Sequence, residues 1–321
     1  MIRCVEYSGS YALQWDALVR NSRNGTFLFL RNYMDYHRDR FTDASLVFVD
    51  AKGHFVALMP ANYEQSSRAV YSHKGLTYGG LILSKNICTE QIGEAMQAAI
   101  EHYREMGAER MFYRPTPYIY NIYPSDEPLF FLFRHNAKLV ARNLSQTIYL
   151  PEAIKANTLR RRMLKKSVQA GNHVCEEHDV TAFWHILDHT LQVRHNVKPV
   201  HSIDELHLLM SRFPEQIRLF VTKDPSGTTL AGTIVYDCGQ VVHTQYLAAS
   251  DEGRTCGALD QVIEHLMTNI YHDRRYFDFG VSTEHAGLYL NTGLTFQKES
   301  FGARGVCYDT WELNLLKEMK S

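Results

Sequence analysis

The sequence runs through one order of segments twice, and this repeat limits the possible folds more than any other feature. Trp184-His-Ile-Leu187 answers Trp15-Asp-Ala-Leu18 at an offset of 169 residues, and Arg212-Phe213 answers Arg40-Phe41 at 172. Leu219-Phe-Val-Thr222, followed by Asp224-Pro-Ser-Gly227, answers Leu46-Val-Phe-Val49 followed by Asp50-Ala-Lys-Gly53, 173 apart. Arg275-Tyr-Phe-Asp278 answers Arg110-Met-Phe-Tyr113 at 165. Tyr308-Asp-Thr-Trp-Glu-Leu313 closes the second run as Gln146-Thr-Ile-Tyr-Leu150 closes the first. Ordered matches at a slowly drifting offset mark a tandem duplication. The expected architecture is two copies, residues 1–150 and 151–321. Each reads strand, two helices, meander, helix, strand, helix, strand. That order predicts the α/β (α+β) class, with a mixed, mostly antiparallel sheet flanked by helices in each copy.

Local patterns fill in the first copy. Trp15, Leu18 and Val19 share a helical face, and a second helix is expected from about Tyr33 to Phe41. Asp50-Ala-Lys-Gly53 is hairpin chemistry between two apolar runs. Ala69-Val-Tyr71 and Leu76 to Leu83 continue the sheet. Thr89 is expected to cap a helix on which Ile92, Ala95, Met96, Ala99 and Tyr103 recur at helical spacing until Gly107 stops them. Hydrophobic residues make up 45% of the chain, enough for sizeable cores.

Charge and cysteine usage exclude several functions. Lys+Arg 34 against Asp+Glu 35 leaves a net charge of −1, so no global basic field recruits DNA. No apolar run approaches the roughly 18 residues that suggest a membrane span. Met1 to Tyr7 lacks an apolar signal core, which predicts a cytoplasmic protein without stable membrane insertion. The six cysteines are scattered with no Cys-x-x-Cys pair, so neither a disulfide framework nor a zinc cluster is expected. His185 and His189 lie four apart on a helix, a spacing that can share an ion. They occupy the place of the packing helix at Trp15, however, and no metal is expected.

Chemistry concentrates between Val241 and Phe301. An alternating strand, Val241 to Ala248, runs into Glu252-Gly-Arg-Thr-Cys-Gly257 and then a helix from Ala258 to about His272. A short strand, Tyr276-Phe-Asp-Phe-Gly280, follows, and after it comes Ala286-Gly-Leu-Tyr289-Leu-Asn291-Thr-Gly293-Leu294. A strand feeding a helix through glycines is a ready anion site, because first-turn N–H groups lack intrahelical partners.

This layout resembles the acyl-CoA site of the GNAT acyltransferase superfamily. There a Gln/Arg-x-x-Gly-x-Gly/Ala turn cradles a pyrophosphate, and a later Tyr-x-x-x-Gly-Phe segment places a tyrosine near the thioester sulfur. Here the turn is Arg254-Thr-Cys-Gly257-Ala-Leu259, without the final small residue, and the segment is Tyr289-Leu-Asn-Thr-Gly293-Leu294. Two such modules in one chain resemble the Fem-type and BioF2-like acyltransferases, as do Tyr276 to Gly280 and Gly293-Leu-Thr-Phe-Gln-Lys-Glu-Ser-Phe-Gly302. The resemblance implies acetyl-CoA or another acyl-CoA as co-substrate. It assigns the donor to Arg254, Thr255, Gly257 and Ala258, with Tyr246, Leu247 and Asn291 beside them. Tyr289 would protonate the departing thiolate, and Glu284 or His285 would take a proton from the acceptor. Backbone N–H groups of the 241–248 strand would polarise the carbonyl.

The first copy lacks both signatures: its turn is Ser84-Lys-Asn-Ile-Cys-Thr89, and Leu132-Phe-Arg-His-Asn136 stands in place of the tyrosine segment. It is therefore expected to be a degenerate copy that shapes the acceptor side. Arg31, Tyr36 and His37 crowd a loop-to-helix region, and His73 and Tyr78 lie in the glycine-bearing Tyr71 to Gly80 run. The function expected is acyl transfer from CoA to an amine or hydroxyl of a small-molecule or cell-envelope precursor. One alternative is a Fem-type transferase that takes an aminoacyl group from tRNA to a peptidoglycan precursor. The helix carrying Arg160-Arg-Arg-Met-Leu-Lys165-Lys166 favours that alternative. Another is a non-catalytic, ligand-binding pair. Lys298 and Glu299 read as a solvated strand pair.

Overall fold

The structure, a computed structural model, describes residues 1–195 and 198–316; the last residues of the expected second copy, 317–321, lie outside the described residues. Two compact units emerge. One comprises Met1–Asn143, Thr283–Tyr289 and Cys307–Ser321; the other comprises Leu144–Ser282 and Leu290–Val306.

The first unit opens with β1 (Arg3–Glu6) and α1 (Ala12–Asn21), whose Trp15 is fully buried and donates its indole N–H to Phe29 O at 2.7 Å. α2 (Arg31–Met34) passes straight into a 3-10 turn at Asp35–His37, so the helix expected to reach Phe41 is shorter. β2 (Thr42–Asp43), β3 (Leu46–Val49) and β4 (Phe55–Met59) follow. Asp50 builds the β3–β4 turn by accepting from the N–H groups of Lys52 and His54, and Gly53 supplies the left-handed residue at φ +82°. Next come β5 (Asn62–Glu64), β6 (Ala69–Tyr71) and β7 (Ile82–Leu83). Of the expected Leu76–Leu83 strand, Ile82 and Leu83 form β7, and Gly79 makes an isolated parallel bridge with Pro115. α3 (Thr89–Glu105) buries Ile92, Ala95, Met96, Ala99 and Tyr103 as its spacing predicts, and Cys88 rather than Thr89 is its cap. β8 (Arg110–Tyr113), α4 (Glu127–Arg134) and β9 (Lys138–Tyr149) follow. β1-β3-β4-β7 form one antiparallel sheet. In the second sheet β2, β5, β6 and β8 are neighbours in that order, and β6 runs parallel to β8.

The second unit begins with α5 (Thr158–Gln169), capped by the Asn157 side chain accepting from Arg160 N–H. β10 (His173–Glu177), α6 (Thr181–His195) and α7 (Ile203–Arg212) lead to the meander β11 (Ile217–Lys223), β12 (Thr229–Asp237) and β13 (Val241–Ala249). α8 (Asp251–Cys256) and α9 (Ala258–His265) cross to β14 (Tyr276–Val281). β15 (Thr283–Glu284), β16 (Tyr289–Leu290), α10 (Thr292–Glu299) and β17 (Arg304–Asn314) complete the chain. Strand order here is β10-β11-β12-β13-β14, with residues 145–149 of β9 antiparallel against β14. β13 and β14 are the parallel pair. Val242, Val262, Ile263, Leu266, Phe277 and Phe279 form the core between this sheet and α9. β17 pairs antiparallel with β8 through Trp311–Asn314, inside the first unit.

A further expectation about an element is corrected. Lys298 is not on a solvated strand: it lies on α10, is 6% exposed, and the helix is capped by Asn291 accepting from Leu294 N–H at 3.0 Å.

Candidate active site

β13 and β14 pair for three residues and then part. Val241 faces Tyr276, Val242 faces Phe277 and His243 faces Asp278. Beyond that point β13 runs on to Ala249, paired among the described residues with β12. A bulge sits on each arm of this fork. On β13, Gln245 has no opposite number on β12, because Ile234 faces Tyr246 while Val235 faces Thr244. On β14, one extra residue lies between Asp278, opposite Thr147, and Val281, opposite Ser145. Bulges re-aim backbone and side chains and recur beside active sites.

The apex of the fork is polar. Asp278 is fully buried between Phe277 and Phe279. Its Oδ1 accepts from Ser145 Oγ at 2.5 Å and from Thr147 Oγ1 at 2.7 Å; its Oδ2 meets His243 Nδ1 at 2.7 Å. Burial alone raises a carboxyl pKa, yet hydrogen bonds from His243, Ser145 and Thr147 outweigh it and bring Asp278 down to about 2. An ionised carboxylate at Nδ1 fixes the proton on that nitrogen and leaves Nε2 as the ring's acceptor. Nε2 has no hydrogen-bond partner among the described residues, and the side chain keeps 14% of its exposure.

Gly280 keeps the ring edge clear. It has φ +75°, and a Cβ there would lie 3.1 Å from Cε1 of His243. The same bulge turns two consecutive carbonyls toward one cation: Lys298 Nζ donates to Gly280 O at 2.7 Å and Val281 O at 2.9 Å. Burial lowers the Lys298 pKa to about 8, against an upward pull from Asp278. Strand alternation puts Ile148 and Phe277 on the other face. There a cavity of about 340 Å³, lined by Ile148, Leu150, Leu164, Met267 and Phe301, opens beside α5.

The residues singled out by sequence fall into three groups. Tyr246 and Leu247 lie on β13 past the bulge, and the Tyr246 hydroxyl meets His201 Nδ1 at 2.7 Å. Arg254 and Thr255 lie within α8, whose cap is Ser250 accepting from Gly253 N–H. The expected loop is thus itself a helical turn, with Asp251 and Glu252 in its first turn. Arg254 donates to Asp251 Oδ1 at 3.0 Å and Thr190 Oγ1 at 3.2 Å, and Thr255 O accepts from Lys166 Nζ at 2.6 Å. A Cβ on Gly257 would sit 2.3 Å from Met163 O, so its bareness admits the α5 backbone; Ala258 is buried behind it. Asn291 is the α10 cap.

Glu284, His285 and Tyr289 form the second group, in one short turn of the first unit. Glu284 is exposed, His285 has φ +51°, and Tyr289 is 53% exposed with its ring 6.5 Å from that of His285. In the third group, Tyr36 stacks on His37 at 4.1 Å, and His37 lies 5.3 Å from His73. Arg31 beside them is neutralised by Asp35 and Asp43 and lies 3.8 Å over the Tyr7 ring. Tyr78 is buried and donates to Thr26 Oγ1 at 3.2 Å. Asp278, Ser145 and Thr147 were not among the sequence candidates; of His243 and Tyr246, which alternate along β13 so that at most one faces the cleft, the sequence favours Tyr246, and it reads Lys298 as a solvated residue rather than a site. Among the described residues, no cluster of three His, Cys, Asp or Glu side chains is placed to hold an ion, and no helix is long and apolar enough to cross a membrane.

Residues 155–286 match the acetyltransferase (GNAT) domain family. The fold is similar to the crystal structure of FemX, with 11% identity, 97% of each chain covered and a TM-score of 0.70. It is also similar to L-PGS from Bacillus licheniformis, with 11% identity, 98% of this chain and 94% of that one covered, and a TM-score of 0.61. A tandem GNAT protein from the clavulanic acid biosynthesis pathway has 12% identity, covers 99% of this chain with all of its own, and has a TM-score of 0.52. None of the curated proteins matches the sequence. At these identities the likeness establishes the architecture: tandem GNAT-like domains, each a mixed, mostly antiparallel sheet flanked by helices.

Proposed function

We propose that this chain, a GNAT acyltransferase of the Fem-type tandem fold, moves an acyl group from an activated donor carbonyl in the β13–β14 fork to an amine or hydroxyl acceptor. The fork itself carries the reading. A parallel pair that separates after His243 and Asp278 frees one edge of β13 from β14, and a free strand edge offers N–H groups to a carbonyl oxygen. The bulge at Gln245 re-aims that edge within the stretch expected to polarise the carbonyl. The donor belongs to the C-terminal half, and the acceptor is a small molecule or envelope precursor.

Acyl-CoA is the first donor to test. A specific observation favours a second, an aminoacyl-tRNA. The position beside Gly257 that a pyrophosphate would take is filled by the α5 backbone, and the α8 first turn carries two carboxylates that repel phosphate. α5 meanwhile exposes Arg161, Arg162 and Lys165. The test is release of free thiol from acetyl-CoA, set against loss of the aminoacyl group from charged tRNA, each with hydroxylamine as acceptor. Turnover of either donor supports acyl transfer and names the donor. If both donors stay intact, the reading fails. If tRNA is used, its binding should weaken steeply with salt and more gently once Arg161 and Arg162 are neutralised.

A further inference from the structure

We infer that His243 is the catalytic base of this transfer and that Asp278 is its positioning residue. The inference rests on the acyl-transfer reading above and assigns the proton, which neither the domain match nor the sequence motifs assign. The imidazole stands where the two strands part, next to the free edge of β13. Its Nδ1 is committed to a carboxylate that accepts from two hydroxyls as well, so the ring has little freedom to turn. Its Nε2 lacks a protein partner among the described residues, and Gly280 withholds the side chain that would crowd that edge. A base held by a buried carboxylate, with its other nitrogen bare, is the arrangement that activates a nucleophile.

The step balances without any further reactant. The acceptor nitrogen or oxygen forms a bond to the donor carbonyl carbon, and its proton passes to His243 Nε2. The tetrahedral intermediate collapses, the bond from carbon to the donor sulfur or oxygen breaks, and the imidazolium returns the proton to the leaving group. Asp278 stays ionised throughout and stabilises the imidazolium. Lys298 donates to two consecutive carbonyls and holds the bulge of β14 in shape.

Two nucleophiles test the assignment. Water has a proton that is hard to remove and depends on a base; hydroxylamine is a strong nucleophile that depends on one less. With the donor that turns over, His243→Gln should lower donor hydrolysis about 10²–10³-fold and hydroxylaminolysis by a clearly smaller factor. KM for the donor should stay within about threefold, because the imidazole acts in the transition state. Added imidazole should restore part of the hydrolysis to His243→Ala and none to Asp278→Ala, which retains its own ring. In the wild-type protein, nitrogen-15 NMR should place the His243 proton on Nδ1, and Asp278→Asn should lose that fixed tautomer.

Equal losses for both nucleophiles in His243→Gln, a loss confined to KM, or hydrolysis above about a third of wild type would each overturn the base assignment while leaving acyl transfer in place. If wild type turns over no donor at all, the functional reading falls and takes this one with it.

Discussion

Both copies of the repeat build a parallel strand pair, and the two pairs end differently. In the first unit β6 and β8 run together through Tyr71 and Phe112, whose rings stack at 4.9 Å. The chain then folds back over the gap. Ser72 N–H donates to Phe112 O, Arg114 N–H donates to Ser72 Oγ, and Gly79 N–H donates to Arg114 O at 2.7 Å. Gly79 re-forms a parallel bridge with Pro115. Residues 72–79 therefore plug the place where the strands would part. The plug is tight: a Cβ on Gly79 would fall 2.2 Å from Ser72 O, and one on Gly80 2.5 Å from the Tyr113 ring. His73 is left at φ +64°, buried, with its pKa pulled to about 3 by burial and the nearby His37. In the second unit, β13 has β12 and β14 as its sheet neighbours, and the apex carries a carboxylate–imidazole pair. One frame has thus been closed with backbone and the other equipped with ionisable groups.

The largest expected effect comes from unplugging the closed fork. Gly79→Val drives a branched side chain into backbone, and Gly80→Val adds strain at φ +78°. Each should cost about 3 kcal/mol or more by urea unfolding, through overpacking that the loop cannot relieve. Gly280→Ala at the open fork meets only an imidazole edge, so its cost is set mainly by the left-handed backbone, about 1–2 kcal/mol. If all three cost the same, the contrast between the forks is lost.

Acid should read the open fork next. The folded-state pKa of Asp278, about 2, is below its unfolded value, so its stabilisation is complete above about pH 4 and is lost as pH falls toward 2. The swing is about 2 kcal/mol, at 1.36 kcal/mol per unit. Stability measured across that window should fall in the wild type and flatten in Asp278→Asn. An unchanged slope in the variant would mean that the carboxylate is not held ionised by His243 and its hydroxyl partners.

How much of this was legible depended on whether the deciding neighbour was near in sequence. The repeat, the Val241 and Tyr276 strands and the α3 stripe were legible, because hydrophobic spacing is local. Lys298 was misplaced because Leu294-Thr-Phe296-Gln-Lys298 alternates like a strand; the Asn291 cap that makes it a helix is a three-residue hydrogen bond that alternation outweighed. Gly257 was ambiguous for a different reason. A bare residue before a helix suits a phosphate or a packed helix equally, and the helix that fills it, at Met163, is remote in sequence. The dyad had one local signal: an aspartate between Phe277 and Phe279 in a buried strand is costly unless something pairs with it. Its partner, His243, becomes identifiable only once the β13–β14 register is known.

Lys298 gives a smaller effect in the opposite pH direction. Its folded pKa of about 8 is below the ordinary lysine value, so between about pH 8 and 10.5 the unfolded chain holds more protons and stability rises with pH. The rise should be about 1–2 kcal/mol after allowing for the partial burial of the group. Lys298→Met should lack it when the two proteins are compared across that window. Matching slopes would mean that the ammonium is not penalised by its site and that the bulge carbonyls compensate it in full.

Tyr289 should have the smallest effect of all on stability and so gives the cleanest reading of chemistry. Its ring is half exposed on a two-residue strand, so Tyr289→Phe removes one hydroxyl from solvent and should shift stability by less than about 0.5 kcal/mol. Any loss of turnover then reports on the leaving group. A thiolate, with a parent thiol pKa near 8.5, departs with little help, whereas an alkoxide from an ester needs a proton. If the imidazolium of His243 supplies that proton, Tyr289→Phe should lower turnover less than about tenfold on a thioester and on an ester alike. A loss on the ester alone, with stability unchanged, would move the acid role from His243 to the exposed tyrosine.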